Sequence, residues 1–239
     1  MVTSAWEGSA AEVGNRRQLS AEIAAQLRDE VMSGKLRPGE FIRLEAVAQR
    51  LGTSVTPVRE ALLLLRGEDI VRLLPRRGFV VSPLSRLDVE DLFEVQARLA
   101  GELAARATAG VDDERIAKLD DINGRLTVAV AEGTPRQIQT LEYLFHRTLN
   151  TAAGSRKLAY LLRSASQYLP QNFYSADPQW RRAVTRDHKA ILSALRAGDA
   201  DGARDATAAH IMAGRERLLR HLDEVGFWVE ADQAGLEVH

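Results

Sequence analysis

The sequence predicts a mainly α-helical protein in two parts: three helices with a β-hairpin, followed by an all-α bundle of six to seven helices. Three observations lead to this fold class. Apolar residues recur at helical spacing before residue 67, two short β-branched runs follow, and beyond residue 88 the spacing is again helical with no convincing strand pattern. The chain of 239 residues is long enough for two modest domains.

Two helices are expected before the turn at Gly52. Residues 20–33 form an amphipathic helix that ends at Gly34, because apolar side chains recur every four residues at Leu19, Ile23, Leu27 and Val31. The stretch 1–15 is rich in Ala, Ser, Gly and Glu without periodicity, so it is predicted to be a disordered arm. A second, short helix has an apolar stripe of Leu44, Val47, Ala48 and Leu51.

The third helix carries the most informative segment, LGTSVTPVREAL at 51–62. Ser54 or Thr56 can cap it, Pro57 suits its first turn, and Arg59 projects from that turn. Its other face is predicted to be buried through Ala61, Leu62, Leu64 and Leu65. A polar helix N-terminus with an apolar back favours insertion into the major groove of DNA, where such residues reach base edges and phosphates.

A hairpin with a basic tip follows. The β-branched runs 70–74 and 78–81 are separated by Pro75, Arg76 and Arg77. Three helices and a two-stranded wing make a winged helix-turn-helix, which we place at residues 16–81. Residues 15–81 contain 12 Lys+Arg and 8 Asp+Glu, a net of +4, and the chain after them contains 20 and 23, a net of −3. Phosphate attraction therefore belongs to the first part, although so modest an excess would not identify a DNA binder by itself.

These residues resemble the DNA-binding domain of the GntR family of bacterial transcription regulators. The resemblance rests on the segments 34–39, 44–52, 56–62 and 76–80. The family usually has a base-reading arginine where this chain has Val55, so the resemblance implies that Arg59 and the wing contribute more here. Arg43 and Arg72 are either phosphate contacts or ordinary surface charges. The predicted DNA-binding residues are Arg43, Ser54, Val55, Thr56, Pro57, Arg59, Arg76, Arg77 and Gly78.

The rest of the chain predicts a helical domain at 88–225, joined to the winged domain by a linker at 82–87. Pro83 interrupts regular secondary structure in this linker, and Asp88 is predicted to cap the helix that follows. The predicted helices are 88–108, 112–131, 135–152, 155–169, 179–197 and 199–222. A tail at 226–239 carries Phe227 and Trp228 and is expected to pack locally before it frays.

Four of the five histidines fall inside these helices, and three of them, His146, His188 and His210, are candidate ligands. Glu142 precedes His146 by four residues, so the two side chains lie one turn apart on one face and could bind one ion together. His188 and His210 lie on later helices among apolar neighbours. Three imidazoles and a carboxylate, with room for water or ligand, suit Zn, Ni or Mn. On spacing alone, however, helical histidines are more often structural than metal-binding.

The helical part resembles the FCD effector domain of the FadR subfamily, through the segments 142–146, 187–199 and 208–210. The resemblance implies a divalent metal ion bound by Glu142, His146, His188 and His210, with Glu142 standing where the family usually has Asp or Asn. It also implies a small-molecule effector, typically a small carboxylate or sugar acid. The candidate effector-binding residues are Gln96, Arg181, Arg182 and Asn172.

The effector chemistry is affected by two departures from this pattern. The family's first bundle helix usually carries an Arg and, four residues on, a Glu, where this chain has Gln96 and Ala100. Arg98 cannot replace the missing arginine, because two residues along a helix turn the side chain by about 200°. The resemblance therefore implies the fold and the metal ligands more directly than the identity of the effector.

Together these features predict a homodimeric, metabolite-responsive transcription regulator, a repressor in its commoner mode, that binds a pseudo-palindromic DNA operator. Two alternatives stay open. A site of one Glu and three His could activate water in a metal-dependent hydrolytic enzyme, although no further general base stands out, or the helical domain could serve only for dimerisation. The absence of cysteine excludes disulfides and thiolate metal ligands. No apolar run approaches the roughly 18 residues of a membrane span, so the expected location is the cytoplasm.

Overall fold

The fold is known from a computed structural model, which describes the backbone of residues 4–228 and the side chains from residue 16 onward, apart from Gln171. The predicted tail beyond residue 228 lies outside the described residues, as do residues 1–3. The chain divides into two compact units, one of Met1–Leu84 with Leu222–His239 and one of Ser85–His221. Within residues 4–228, no helix is long and apolar enough to cross a membrane.

The first unit contains the three expected helices, α1 (Ser4–Met32), α2 (Leu44–Arg50) and α3 (Val55–Gly67). Helices α1 and α3 pack together through side chains that are almost completely buried, among them Ile23, Leu27, Val58, Leu62 and Leu65. The start of α1 corrects the sequence analysis, because residues 4–15, predicted to be a disordered arm, are helical. This stretch has three alanines and no proline, and it extends a helix that is already formed, which costs less than starting a new one.

The face of α3 also differs in one position from the prediction. Ala61, Leu62 and Leu65 are fully buried as expected, but Leu64 is 48% exposed. The buried stripe of α3 repeats at 57, 58, 61, 62 and 65, and Leu64 falls beside this stripe rather than within it.

The wing is a three-stranded antiparallel sheet of β1 (Phe41–Ile42), β2 (Val71–Leu74) and β3 (Gly78–Val81), in the order β1-β3-β2. The hairpin β2–β3 is confirmed. Strand β1 was not predicted, because two residues are too few to show an alternating pattern. At the hairpin turn Arg76 has a left-handed φ of 62° and Gly78 a φ of 92°, and both arginines of the tip are exposed.

The second unit consists of seven helices, which confirms the predicted all-α architecture. All six predicted helices are present, and the short α8 is additional. Their bounds are α4 (Arg86–Ala107), α5 (Asp113–Glu132), α6 (Pro135–Ala152), α7 (Arg156–Ser166), α8 (Gln171–Ala176), α9 (Pro178–Ala197) and α10 (Ala200–Glu224).

The start of α4 shortens the predicted linker. Ser85, and not Asp88, is the N-cap residue. The Ser85 side chain accepts a hydrogen bond from the Asp88 amide, and the Asp88 carboxylate accepts one from the Ser85 amide, which makes a capping box. Asp88 therefore stabilises the helix from its third position.

The last turn of α10 and the residues after it belong to the winged unit. This C-terminal segment, Leu222–Trp228, packs on the turn that follows α1. A Cβ added to Gly34 would lie 3.1–3.3 Å from side-chain atoms of Leu222, Val225 and Phe227. Arg37 donates from Nη2 to the carbonyl oxygen of Val225 at 2.8 Å. Phe227 was expected to pack locally before the tail frays. It is completely buried, and it belongs to the winged unit, most of which is far from it in the sequence.

Phe227→Ala is expected to lower the free energy of unfolding of the winged unit by about 3–5 kcal/mol, because it removes a fully buried aromatic ring and leaves a cavity. Urea denaturation followed by circular dichroism measures the change. Leu64→Ala is the matched control, because Leu64 lies in the same unit but is half exposed, and it should cost less than about 0.5 kcal/mol. Equal losses in the two variants would contradict the packing described for Phe227.

Candidate metal centre and DNA-reading surface

Three helices of the second unit bring the four predicted ligands together. Glu142 and His146 lie one turn apart on α6, His188 lies on α9, and His210 lies on α10. One ligand atom from each residue lies within 4.8 Å of the ligand atoms of the other three. The helical period places Glu142 and His146 on one face of α6. The packing of α9 and α10 brings His188 and His210 to that face.

The Glu142 carboxylate lies at the centre of this cluster. Its Oε1 is 3.2 Å from His146 Nε2 and 3.4 Å from His210 Nε2, and its Oε2 is 3.3 Å from His188 Nε2. Ligand atoms placed about 2.0–2.1 Å from a tetrahedral zinc ion lie roughly 3.3 Å from one another. The three carboxylate-to-nitrogen distances of 3.2–3.4 Å therefore match those of ligand atoms that share one metal ion.

Packing fixes the ring of His188. Its side chain is completely buried and stacks on Phe145, with ring centroids 3.7 Å apart and planes 3° from parallel. Phe145 follows Glu142 by three residues, so one face of α6 carries both a ligand and the aromatic ring that supports the next ligand. In the described chain neither ring nitrogen of His188 has a hydrogen-bond partner. A buried imidazole with both nitrogens unsatisfied is costly, and a metal ion would satisfy one of them.

The charges of the cluster are strongly coupled. Burial raises the pKa of the Glu142 carboxyl, but His188 and His146 outweigh this effect and hold its pKa well below 4.5. Burial lowers the pKa of His188 to about 4, although Glu142 opposes the shift. Burial also lowers the pKa of His210, but Asp187 and Glu142 overcome it and raise that pKa to about 9. The metal-free site at neutral pH thus holds an ionised Glu142, a neutral His188 and a charged His210.

These shifts predict how the stability of the metal-free protein depends on pH. His210 has a higher pKa in the folded than in the unfolded state, so its contribution is complete below pH 6.5 and is lost as the pH rises to about 9. His188 has a lower pKa when folded, so stability also falls as the pH drops from 6.5 to about 4. We expect the free energy of unfolding to be highest near pH 6.5. Urea denaturation at a series of pH values tests this, and His210→Gln should remove the alkaline decline.

A second carboxylate, which the sequence analysis missed, lies beside the cluster. Asp187 Oδ2 is 3.5 Å from His210 Nδ1, and Asp187 Oδ1 accepts a hydrogen bond from Arg186 Nη2 at 3.0 Å. Neighbouring residues on a helix point about 100° apart. With His188 turned into the interior, Asp187 is therefore directed to the adjacent helix, and its place directly before His188 is the signal that could have found it.

The four predicted effector-binding residues lie in different surroundings. Arg182 and Asn172 are exposed, and Arg181 donates from Nε to the carbonyl oxygen of Ser175 at 2.7 Å. Gln96 is completely buried on α4, and its two amide atoms have no hydrogen-bond partner among the described residues. Gln96 is therefore the candidate best placed to bind a ligand inside the bundle. All four assignments stay predictions.

Three further observations concern buried positions on α4 and α10. Thr207 Oγ1 on α10 is likewise buried without a hydrogen-bond partner in the described chain. Helices α4 and α10 approach closely, because a Cβ added to Gly101 would lie 3.0 Å from the carbonyl oxygen of Arg204. Ala100, where the family often has Glu, packs in an apolar cluster with Leu103 and Leu162. A glutamate at position 100 would disrupt this apolar cluster.

The predicted DNA-reading residues gather at the start of α3 and at the tip of the wing. Ser54 is the N-cap residue, but its side chain makes no capping hydrogen bond, so its exposed hydroxyl is available to a phosphate or base. Thr56 and Arg59 are exposed in the first turns, Val55 is partly exposed, and Pro57 is buried. Only exposed members of this group can contact DNA directly, which makes Pro57 a packing residue.

The wing and α2 add the remaining basic groups. Arg43 is exposed at the N-cap of α2, and the Arg77 guanidinium lies 4.8 Å from the centre of the Phe41 ring. Arg72 is only partly exposed, and its Nε and Nη2 are buried without hydrogen-bond partners in the described chain. Arg72 is thus not an ordinary solvated surface charge, which was one of the two interpretations of the sequence.

Residues 19–81 match the family described as bacterial regulatory proteins of the gntR family, and residues 91–213 match the FCD domain. The chain belongs to the GntR family. An FCD domain behind a GntR head is the arrangement of the FadR-like subfamily, so the resemblance seen in the sequence is confirmed. The two matched regions coincide with the winged helix-turn-helix and the helical bundle.

Relatives of this GntR-family regulator are named as transcription regulators. McbR from Escherichia coli strain K12 is 24% identical over 194 residues, covering 80% of this chain and 88% of McbR. The putative L-lactate dehydrogenase operon regulatory protein of the same organism is 28% identical over 234 residues, covering 82% of this chain and 84% of that protein. The gluconate operon transcriptional repressor of Bacillus licheniformis is 26% identical over 135 residues, covering 56% of this chain and 55% of that protein.

A solved structure shows the same fold. The structure of E. coli McbR/YncC superposes with a TM-score of 0.65 at 24% identity, covering 84% of this chain and 97% of that chain. The two family matches and the named relatives make this GntR-family protein a transcription regulator with a DNA-binding domain and an FCD effector domain. Because its relatives are named as regulators, the alternative of a metal-dependent hydrolytic enzyme is not supported.

Proposed function

We propose that the FCD domain of this regulator binds one divalent metal ion through Glu142, His146, His188 and His210, and a small organic acid beside it. The observation that carries the proposal is the convergence of three imidazole Nε2 atoms on one carboxylate at 3.2–3.4 Å. The donor set of three nitrogens and one oxygen suits Zn, Ni or Mn. A bound ion would supply a Lewis-acidic centre, and an ion that expands beyond these four ligands would offer a coordination position to an effector carboxylate.

Charge balance supports an acidic effector. Glu142 neutralises only one of the two charges of a divalent ion, and the second nearby carboxylate, Asp187, is already paired with Arg186. A buried site with excess positive charge favours an anionic ligand. Gln96, with both amide atoms unpaired among the described residues, could hydrogen-bond the other end of the molecule. The named relatives point the same way, since lactate and gluconate are both hydroxy acids.

The proposed response is a change in operator affinity. A homodimer would place two copies of α3 in successive major grooves of a pseudo-palindromic operator, with Arg76 and Arg77 near the minor groove or the backbone. Effector binding would alter the placement of the two winged domains by a coupling free energy of about 1–3 kcal/mol. Repression relieved by the metabolite is the mode we propose, as in the relative named as a repressor. The protein would act on chromosomal DNA and therefore in the cytoplasm.

The test has two stages. Protein stripped with a chelator is titrated with Zn²⁺, Ni²⁺ and Mn²⁺, and one ion per chain is expected. A thermal-shift screen of small carboxylates, run with and without the metal, should then find ligands that stabilise only the metal-loaded protein. If the full chain binds none of the three ions, its helical domain is better explained as a dimerisation module.

A further inference from the structure

We infer that Asp187 is a positioning residue for His210, which it holds so that the Nε2 atom of the imidazole faces the centre of the ligand cluster. The inference rests on the metal site proposed above. Asp187 is not among the ligands predicted from the sequence, and it is not among the four residues whose ligand atoms cluster. Its role follows from the different partners of the two ring nitrogens of His210.

His210 has a carboxylate on each side. Its Nε2 lies 3.4 Å from Glu142 Oε1, within the cluster, and its Nδ1 lies 3.5 Å from Asp187 Oδ2, on the opposite edge of the ring. The side chain is almost completely buried. An imidazole that binds a metal through Nε2 carries its proton on Nδ1, and this proton needs an acceptor where water is excluded. The Asp187 carboxylate lies at an ion-pair distance of 3.5 Å from Nδ1, where no hydrogen bond is formed within the described residues, and it is the acceptor that a proton on Nδ1 would use.

Asp187 is itself held in place. Its Oδ1 accepts hydrogen bonds from Arg186 Nη2 at 3.0 Å and from Arg186 Nε at 3.3 Å, which leaves Oδ2 directed to His210. The Arg186 side chain is 78% exposed and that of Asp187 only 19%, so the carboxylate spans the boundary between solvent and interior. A carboxylate fixed by a second residue orients an imidazole better than one free to rotate.

The two buried histidines are therefore supported in different ways. His188 stacks on Phe145, and its Nδ1 has no hydrogen-bond partner within the described residues, so packing sets its ring plane. The His210 ring lies 5.3 Å from the His146 ring, and its Nδ1 has the carboxylate of Asp187 at 3.5 Å. Two consecutive residues of α9 thus serve two different ligands. His188 is a ligand itself, and Asp187 positions His210 on α10.

Asp187→Ala is expected to weaken Zn²⁺ binding about 10–100-fold, the range typical of carboxylates behind metal-bound histidines. Affinity is measured on the full-length protein by competition with a chromophoric chelator. Asp187→Asn should lose less affinity, because its amide oxygen can still accept from Nδ1. The matched control is Asp201→Ala, which removes a carboxylate that is 89% exposed in the same unit and should leave Zn²⁺ affinity unchanged.

A second readout separates positioning from a general effect on the fold. The visible absorption of Co²⁺-loaded protein reports ligand geometry, and it should change in Asp187→Ala while the ratio of one ion per chain is kept. If wild type and Asp187→Ala bind Zn²⁺ with equal affinity and give identical Co²⁺ spectra, the inference is wrong and the metal site stands. If the wild type binds neither ion, the metal site is wrong and the inference goes with it. Should Asp187→Ala not fold, the same two comparisons are made on Asp187→Leu, which fills the space of the side chain and removes both acceptor oxygens.

Discussion

His188→Ala is expected to lower the affinity for Zn²⁺ by more than about 100-fold, beyond the 10–100-fold typical of a residue that only supports a ligand. His188 is completely buried, and its Nε2 lies 3.3 Å from Glu142 Oε2 at the centre of the cluster. The alanine would remove one of the four ligand atoms and leave a cavity beside Phe145. Isothermal titration of metal-free protein with Zn²⁺ measures the loss.

Controls distinguish a lost ligand from a damaged fold. His188→Gln keeps most of the side-chain volume and should also lose affinity, with far-UV circular dichroism unchanged. His221→Gln alters a histidine on α10 that lies outside the cluster and should bind Zn²⁺ like the wild type. The operator affinity of metal-free His188→Ala should equal that of the metal-free wild type. Undiminished Zn²⁺ binding by both His188 variants would contradict the proposed ligand set.

Arg59→Ala is expected to abolish specific operator binding at physiological salt. Arg59 is exposed near the N-terminus of α3. The N-terminal residues of a recognition helix are the ones that contact base edges. One good contact to a base contributes about 1–3 kcal/mol, so a dimer with two half-sites loses about 2–6 kcal/mol. Operator DNA selected from a random library by the wild type, used in fluorescence anisotropy, measures the change. Zn²⁺ content should be unchanged.

The matched control for this variant is Arg66→Ala. Arg66 is exposed on the same helix, but it lies in the last turn, away from the N-terminal end that enters the groove. Both variants lose one positive charge, so any general electrostatic effect is shared. Arg59→Ala should reduce the preference for the operator over random DNA, whereas Arg66→Ala should preserve it. Normal operator binding by Arg59→Ala would show that α3 is not the recognition helix.

Local sequence patterns predicted most of this architecture. Helical spacing located the helices of both units to within a few residues, except for the start of α1, which lies at Ser4 and not at residue 20. The four-residue interval from Glu142 to His146 placed two ligands on one face. The convergence of His188 and His210 on that face was not contained in any local pattern. It came from resemblance, because the angle at which α9 and α10 pack depends on side chains distributed over the whole bundle.

The features that the sequence analysis missed have a common physical origin. Strand β1 and helix α8 are too short to show a period, and Asp187 acquires its role from a residue on another helix. The burial of Phe227 depends on partners almost 200 positions away in the chain, such as Gly34. Contacts between such distant residues leave no periodic trace, and a short stretch of sequence cannot reveal them.

The C-terminal segment limits how the DNA-binding domain of this regulator can be fused to other sensor domains. The winged unit is discontinuous, because the chain leaves it at Leu84 and re-enters it at Leu222. A chimera that joined residues 1–84 to a foreign sensor would uncover the apolar surface around Gly34 that Phe227 protects, and would lose the carbonyl oxygens that Arg37 binds. A transplantable DNA-binding module from this protein therefore requires residues 222–228 as well, supplied either as a separate peptide or through a circular permutation.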